Sequence, residues 1–214
     1  MLRYVDHTQL KAYATWDDIV KLCEEAMEFA TASVCIPPSY VKRVHDTYGD
    51  KVNICTVVGF PLGYNVLEAK VAETHQALND GANEVDMVIN IGDLKNGDYD
   101  KIKAEIKAIK AAASDKILKV IIETCYLTDD EKIQMCEVVT AAGADYIKTS
   151  TGFGTDGATI ADIKLFKKYV GPKVKIKAAG GVKTVDDLAQ FIAEGASRIG
   201  SSSAIDIVKG SICK

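Results

Sequence analysis

Lys148 and Lys177 combine residue type and context for chemistry. Each lies in an alternating hydrophobic run that opens into small residues: Tyr146-Ile147-Lys148-Thr149-Ser150-Thr151-Gly152 and Ile176-Lys177-Ala178-Ala179-Gly180-Gly181. Burying an ammonium ion is costly, and two on neighbouring strands repel each other. The pair makes chemical sense if one lysine is a neutral amine, able to attack a carbonyl and form a Schiff base. An ordinary lysine, with a pKa of about 10.4, is the free amine in only about one molecule in a few thousand at neutral pH. Lowering that pKa by about three units takes roughly 4 kcal/mol. Burial contributes, and a second ammonium a few ångströms away contributes more. Spacing alone does not choose between the two. Lys148 also reads as a strand-end lysine snorkelling to solvent, and Lys177 as half of a salt bridge. Lys173 and Lys175 share the parity of Lys177, but Ala178-Ala179-Gly180-Gly181 makes Lys177 the last lysine before the loop.

Asp86, within Glu84-Val85-Asp86-Met87-Val88-Ile89-Asn90, is a carboxylate in another buried run. Beside two lysines it can pair with a cation, and it can relay protons through water. Phosphate sites need backbone N–H groups and little side-chain bulk. Ser150-Thr151-Gly152, Gly180-Gly181 and Gly200-Ser201-Ser202-Ser203 qualify. Gly152-Phe153-Gly154-Thr155-Asp156-Gly157 also matches the G-x-G-x-x-G pattern of dinucleotide sites. The next strand, however, ends in Ala178-Ala179-Gly180-Gly181, where an acidic residue should meet a ribose.

The elements that must position these residues alternate throughout the chain. Strands are expected at 2–7, 32–36, 52–58, 83–90, 117–123, 144–150, 173–178 and 197–200. Helices are expected at 16–29, 40–47, 65–79, 98–113, 128–142, 158–170, 184–193 and 202–209, with an N-cap at Thr15 and glycine past several ends. Eight strands separated by helices, with no Pro/Gly/Ser-rich linker, predict an α/β fold: one closed (β/α)8 TIM barrel spanning 1–214 as a single catalytic domain. An open doubly wound sheet is the alternative. A barrel puts catalytic groups at the C-terminal ends of its strands, and phosphate near the loops after the seventh and eighth. Gly180-Gly181 and Gly200–Ser203 fall there. If the polar faces of the strands point inward, Lys148, Lys177 and Asp86 converge near the mouth.

Composition excludes several classes. Of 214 residues, 48% are hydrophobic and 26% charged, enough for a large soluble core. The net charge is −4, and lysines are interspersed with acids, which argues against a nucleic-acid partner. No apolar run has signal-peptide or membrane-spanning length, so no membrane partner is expected. Cys23, Cys35, Cys55, Cys125, Cys136 and Cys213 form no Cys-x-x-Cys pair and read as reduced cytosolic thiols, placing the chain in the cytoplasm. Three separated histidines argue against a zinc site.

Taken together, Asp6-His7-Thr8, Ala32–Ile36, Thr56–Gly63, Glu84–Gly92, Tyr146–Phe153, Lys177–Gly181 and Arg198–Ser203 resemble the deoxyribose-phosphate aldolases, class I aldolases of the (β/α)8 type. The resemblance covers nearly the whole chain. It implies reversible cleavage of 2-deoxy-D-ribose 5-phosphate to D-glyceraldehyde 3-phosphate and acetaldehyde, with small sugar phosphates and aldehydes as partners. It further implies Lys148 as Schiff-base lysine, Lys177 as the lysine that tunes it, and Asp86 as proton relay. Gly152, Gly180, Gly181, Gly200, Ser202 and Ser203 would hold phosphate, and Asp6, Thr8 and Cys35 would line the pocket. No metal or organic cofactor is implied, because the imine is itself the electron sink. Family analogy allows a monomer, a homodimer or a larger assembly. Many members end in a tyrosine that assists protonation, whereas this chain reads Ser211-Ile212-Cys213-Lys214, and Lys183 stands where arginine is common. A phosphosugar isomerase or decarboxylase using Asp86, a non-catalytic sugar-phosphate binder and a dinucleotide enzyme are the competing readings.

Overall fold

A computed structural model describes residues 1–212. Cys213 and Lys214, which figure in the thiol and chain-end readings above, lie outside the described residues. Eight parallel strands close into a barrel in sequence order: β1 (Val5–Thr8), β2 (Ser33–Ile36), β3 (Ile54–Val58), β4 (Glu84–Val88), β5 (Ile117–Ile121), β6 (Tyr146–Lys148), β7 (Lys175–Ala179) and β8 (Arg198–Ser201). Around them run α1 (Trp16–Glu28), α2 (Pro38–Tyr48), α3 (Leu67–Asn79), α4 (Ile91–Lys95), α5 (Tyr99–Ala113), α6 (Asp129–Ala142), α7 (Ile160–Tyr169), α8 (Val185–Glu194) and α9 (Ala204–Ile212). The fold is a (β/α)8 barrel, as the alternation predicts. β8 closes on β1 through Val5↔Ile199 and Asp6↔Gly200, which rules out the open sheet.

Most expected strands are too long by two to four residues. β6, expected over 144–150, keeps three residues, because Thr149 to Thr151 turn away to hydrogen-bond with the neighbouring strand ends. Leu2–Tyr4 forms a 3-10 turn before β1. The short α4 was not expected; the Asn90 side chain caps it by accepting from the Gly92 and Asp93 amides. Four helices start on threonine capping boxes, Thr15/Asp18, Thr128/Glu131, Thr159/Asp162 and Thr184/Asp187. Each cap is worth about 1 kcal/mol.

Strand parity sorts the interior. Outward residues such as Val85, Met87, Leu118, Val120, Ile147, Ile176 and Ile199 pack with the helices into the main apolar core. Inward positions are different in kind: only Cys35, Cys55 and Val57 form an apolar cluster there, and the remainder is largely charged. Among the described residues no helix is long and apolar enough to cross a membrane.

One buried ion pair outside the barrel braces two strand ends. Lys70 of α3, fully buried, donates to the Val88 carbonyl at 2.8 Å and to Glu105 of α5 at 2.7 Å. Its stem fills the space under Gly59, where a Cβ would come within 2.7 Å of Lys70 Cε. Lys70→Met is expected to cost about 3–5 kcal/mol, because it strands a buried carboxylate and a carbonyl. Urea unfolding checks this, and a loss below about 1 kcal/mol would mean that Glu105 finds water instead.

Candidate active site

Inward parity brings charge from six strands into the barrel. Asp86 of β4 and Lys119 of β5 are Cα partners, as are Lys148 of β6 and Lys177 of β7. Lys148 and Lys177 each donate to Asp86 Oδ2 at 2.7 Å, and Lys119 donates to Oδ1 at 2.9 Å. One carboxylate therefore meets three lysines. Beneath it, Lys177 Nζ lies 2.5 Å from Asp6 Oδ2, an ion pair without hydrogen-bond alignment. Lys119 lies 2.5 Å from Glu84, and Arg198 pairs with both Asp6 and Glu84. The convergence that parity required of Lys148, Lys177 and Asp86 is present.

Burial alone would raise the carboxylates, but the cations outweigh it. Asp86 is held well below the usual range by Lys119, Lys148 and Lys177, and Asp6 is lowered by Lys177, Lys119 and Arg198. The converse holds for the bases. Burial would lower Lys177 and Lys119, but Asp6 and Asp86 raise the former, and Asp86, Cys55, Asp6 and Glu84 raise the latter. Asp6 and Asp86 thus stabilise the fold fully above about pH 4 and lose that contribution as the pH falls further. Lys177 and Lys119 do so below about pH 10.4 and lose it as the pH rises past that. Cys35 is lowered by a hydrogen bond from Cys55, while Cys55 is raised by burial and by that bond.

Above this network opens a cleft of about 430 Å³ at the C-terminal ends of the strands, within the size range of small-ligand sites. One wall carries Gly180, Gly181, Gly200, Ser202 and Ser203, together with Gly152. Gly180 and Gly181 have φ of +74° and +77°, and a Cβ on Gly181 would meet the Ala158 carbonyl at 2.8 Å, so only glycine fits there. Thr8, Gln9, Leu10 and Lys11, from the end of β1 and the loop after it, also line the cleft. Lys148 is the interior lysine that reaches it. Among the described lining residues Lys11 and Lys148 carry charge and none is acidic.

Three expectations need correction. Asp6 and Cys35 do not line the cleft; they point inward but lie buried beneath it, at 0% and 1% exposure, because the stagger between strands sets them below the mouth. Ser150 is not on the cleft wall either. It is buried with Oγ unpartnered, and the loop presents Thr151 and Gly152 instead. Gly154 and Gly157 pack on protein, a Cβ on the first standing 2.8 Å from Cys125 Sγ and one on the second 2.6 Å from the Gly181 nitrogen, while Gly152 faces open space. The closed barrel, in place of an open doubly wound sheet with a switch point, removes the Rossmann-type dinucleotide reading.

Sequence reasoning missed Lys119 and Arg198. The signal was available, since each is a lone cation at inward parity in an apolar strand. Gln9, Leu10 and Lys11 left no such trace. Cys35, Cys55 and Asp86 have potential ligand atoms within 4.8 Å of one another, as do Asp6, Cys55 and Glu84. An ammonium already fills the place a metal would take: Lys119 Nζ is 3.3 Å from Cys55 Sγ, besides its contacts with Asp86 and Glu84.

Comparison with known proteins fits this geometry. Residues 1–213 match the family model of the DeoC/LacD family aldolases. The chain belongs to that family. It is an enzyme, a lyase, and its barrel is that of the DeoC/LacD aldolases. It is 67% identical over 210 residues to the deoxyribose-phosphate aldolase of Clostridium botulinum (strain Alaska E43 / Type E3), covering 98% of this chain and 95% of the relative. It is 61% identical over 209 residues to that of Clostridioides difficile (strain 630), with the same coverage of both. The tetrameric deoxyribose phosphate aldolase from Aeropyrum pernix superposes with a TM-score of 0.91 at 29% identity, covering 99% of this chain and 90% of that one.

Proposed function

We propose that the chain cleaves 2-deoxy-D-ribose 5-phosphate reversibly to D-glyceraldehyde 3-phosphate and acetaldehyde, through a Schiff base on Lys148. The observation that carries this reading is the unequal setting of two adjacent lysines. Lys177 is sealed between Asp6 and Asp86, fully buried, whereas Lys148 opens to the cleft and touches one carboxylate. A doubly paired ammonium cannot attack a carbonyl.

The charge balance points the same way. With the cysteines as thiols, the interior holds three carboxylates (Asp6, Glu84, Asp86) and four bases (Lys119, Lys148, Lys177, Arg198). It is electroneutral when one base is a free amine, and Lys148 is the base that meets substrate. Attack on the sugar C1 aldehyde gives a carbinolamine; uptake of one proton from solvent and loss of water give a protonated imine, and the final hydrolysis returns that proton. As the C2–C3 bond breaks, its electron pair enters the imine and leaves a neutral enamine. The C3 hydroxyl proton passes to water beside Asp86, and C3 becomes the aldehyde of glyceraldehyde 3-phosphate. Protonation at C2 and hydrolysis then release acetaldehyde and restore the amine. The cation is discharged at the bond-breaking step, which the balanced interior favours. No metal or organic cofactor is needed.

The phosphate is assigned to Gly180, Gly181, Gly200, Ser202 and Ser203, with Gly152, and Lys11 supplies charge from the neighbouring loop after β1. The catalytic unit is a single cytoplasmic domain, 1–214, acting alone, as a homodimer or in a larger assembly. An isomerase working through Asp86 fits less well, because that carboxylate lies below the cleft with both oxygens engaged. The test is acetaldehyde release from deoxyribose 5-phosphate, followed by coupled reduction. Turnover supports the reading, and binding without release would leave a sugar-phosphate binder.

A further inference from the structure

We infer that Glu123 is a positioning residue that clamps the 151–157 segment onto the phosphate wall, and so sets how strongly the enzyme prefers a phosphorylated sugar. This rests on the phosphate assignment above.

Glu123 follows β5 and is 2% exposed. Its backbone is left-handed, with φ of 53° and ψ of 69°, a conformation that L residues with long side chains avoid. Glycine or asparagine would sit there with less strain, but neither reaches Thr151. Glu123 does so twice. Oε1 accepts the Thr151 amide at 3.1 Å, and Oε2 accepts the Thr151 hydroxyl in a short contact. The hydroxyl has a single proton, so its lone pairs face the other way, where Oγ1 accepts the Phe153 amide at 3.0 Å. Among the described residues no cation pairs with this carboxylate. Its bonds are spent on the loop.

The clamp continues to the phosphate wall. A Cβ on Gly154 would come within 2.8 Å of Cys125 Sγ and 3.1 Å of Glu123 Cδ. Three residues on, Gly157 abuts the Gly180-Gly181 backbone. The Ala158 amide then donates to the Ala179 carbonyl at 3.0 Å. The glycines of the G-x-G-x-x-G match thus gain a physical role. Gly154 lets the segment lie against Glu123, Gly157 lets it lie against the phosphate loop, and Gly152 turns at φ +85° between them and β6. Loss of the Glu123 bonds would leave Lys148 on its strand and release the wall that the phosphate meets.

Glu123→Gln keeps the shape and one acceptor but presents an NH2 group to the Thr151 hydroxyl. The ratio of kcat/KM for 2-deoxyribose 5-phosphate over that for 2-deoxyribose is expected to fall about tenfold, a loss typical of loosened substrate positioning. In the same variant, hydrogen exchange at the Thr151 and Phe153 amides is expected to quicken about tenfold or more. Thr151→Val should do the same if the Glu123 variant fails to fold, and Thr151→Ser, which keeps the hydroxyl, should restore the ratio. An equal loss on both sugars, or unchanged exchange, would overturn the clamp. If the parent enzyme cleaves neither sugar, the aldolase reading fails by itself. Exchange, together with the affinity for inorganic phosphate in parent and variant, then decides the clamp separately.

Discussion

Lys148→Ala is expected to abolish carbon–carbon cleavage, a fall on the order of 10⁴-fold, while leaving the protein folded. The two halves of that expectation come from the same contacts. Lys148 is the interior base that meets the cleft, so without it no amine is left to form the imine. Structurally, the Lys148 ammonium pairs with Asp86, and Asp86 keeps Lys119 and Lys177 when it is gone. No carboxylate is stranded, so the unfolding midpoint should move little. Acetaldehyde with borohydride should add a two-carbon unit to the Lys148 peptide of the parent and to no peptide of the variant. Labelling that moves to Lys177, or cleavage that survives, would reverse the roles given to the two lysines.

Lys177→Met should fail in a different way. Lys177 bridges Asp6 and Asp86 in a fully buried setting; without it Asp6 keeps Arg198 and Asp86 keeps Lys119 and Lys148, so its removal leaves buried acceptors short of a donor and is expected to cost about 1–3 kcal/mol in urea unfolding. Lys177 is raised above the usual lysine value, so the stability it contributes is complete at neutral pH. The gap between parent and variant narrows as the pH rises above about 10.4, and again below about pH 4, as the carboxylates take up protons. Activity should respond in the opposite sense. Without Lys177 the interior balances with Lys148 as an ammonium ion, so the acid limb of kcat/KM against pH moves upward and part of the lost activity returns under alkaline conditions. Lys177→Arg keeps the cation and should hold the acid limb near its original place. An acid limb that does not shift in Lys177→Met would remove the tuning role.

The barrel was legible because its signals are redundant. Most strands are apolar runs, most helices carry a side-chain cap or a glycine at or just past an end, and the two alternate eight times. The central trio was legible through parity: Lys148, Lys177 and Asp86 interrupt runs that otherwise suit burial. The boundaries were harder. β6 ends at Lys148 because Thr149 Oγ1 exchanges hydrogen bonds with the Ala179 carbonyl and amide, a contact between segments thirty residues apart. The depth of Asp6 and Cys35 was misjudged for a related reason. Parity says which way a side chain points, but only the stagger between strands says how far below the mouth it lies. Glu123 was invisible in principle, since a glutamate at the end of a strand looks like any solvated charge until its backbone is seen to be left-handed.

The segment Gln9, Leu10 and Lys11 follows β1 and carries none of the groups assigned to bond making or proton movement, although it lines the same cleft as the amine. Part of the recognition surface is thereby housed on a segment of chain apart from the reacting groups. Randomising those three positions offers a route to enzymes that join bulkier or uncharged acceptor aldehydes while the catalytic apparatus stays untouched.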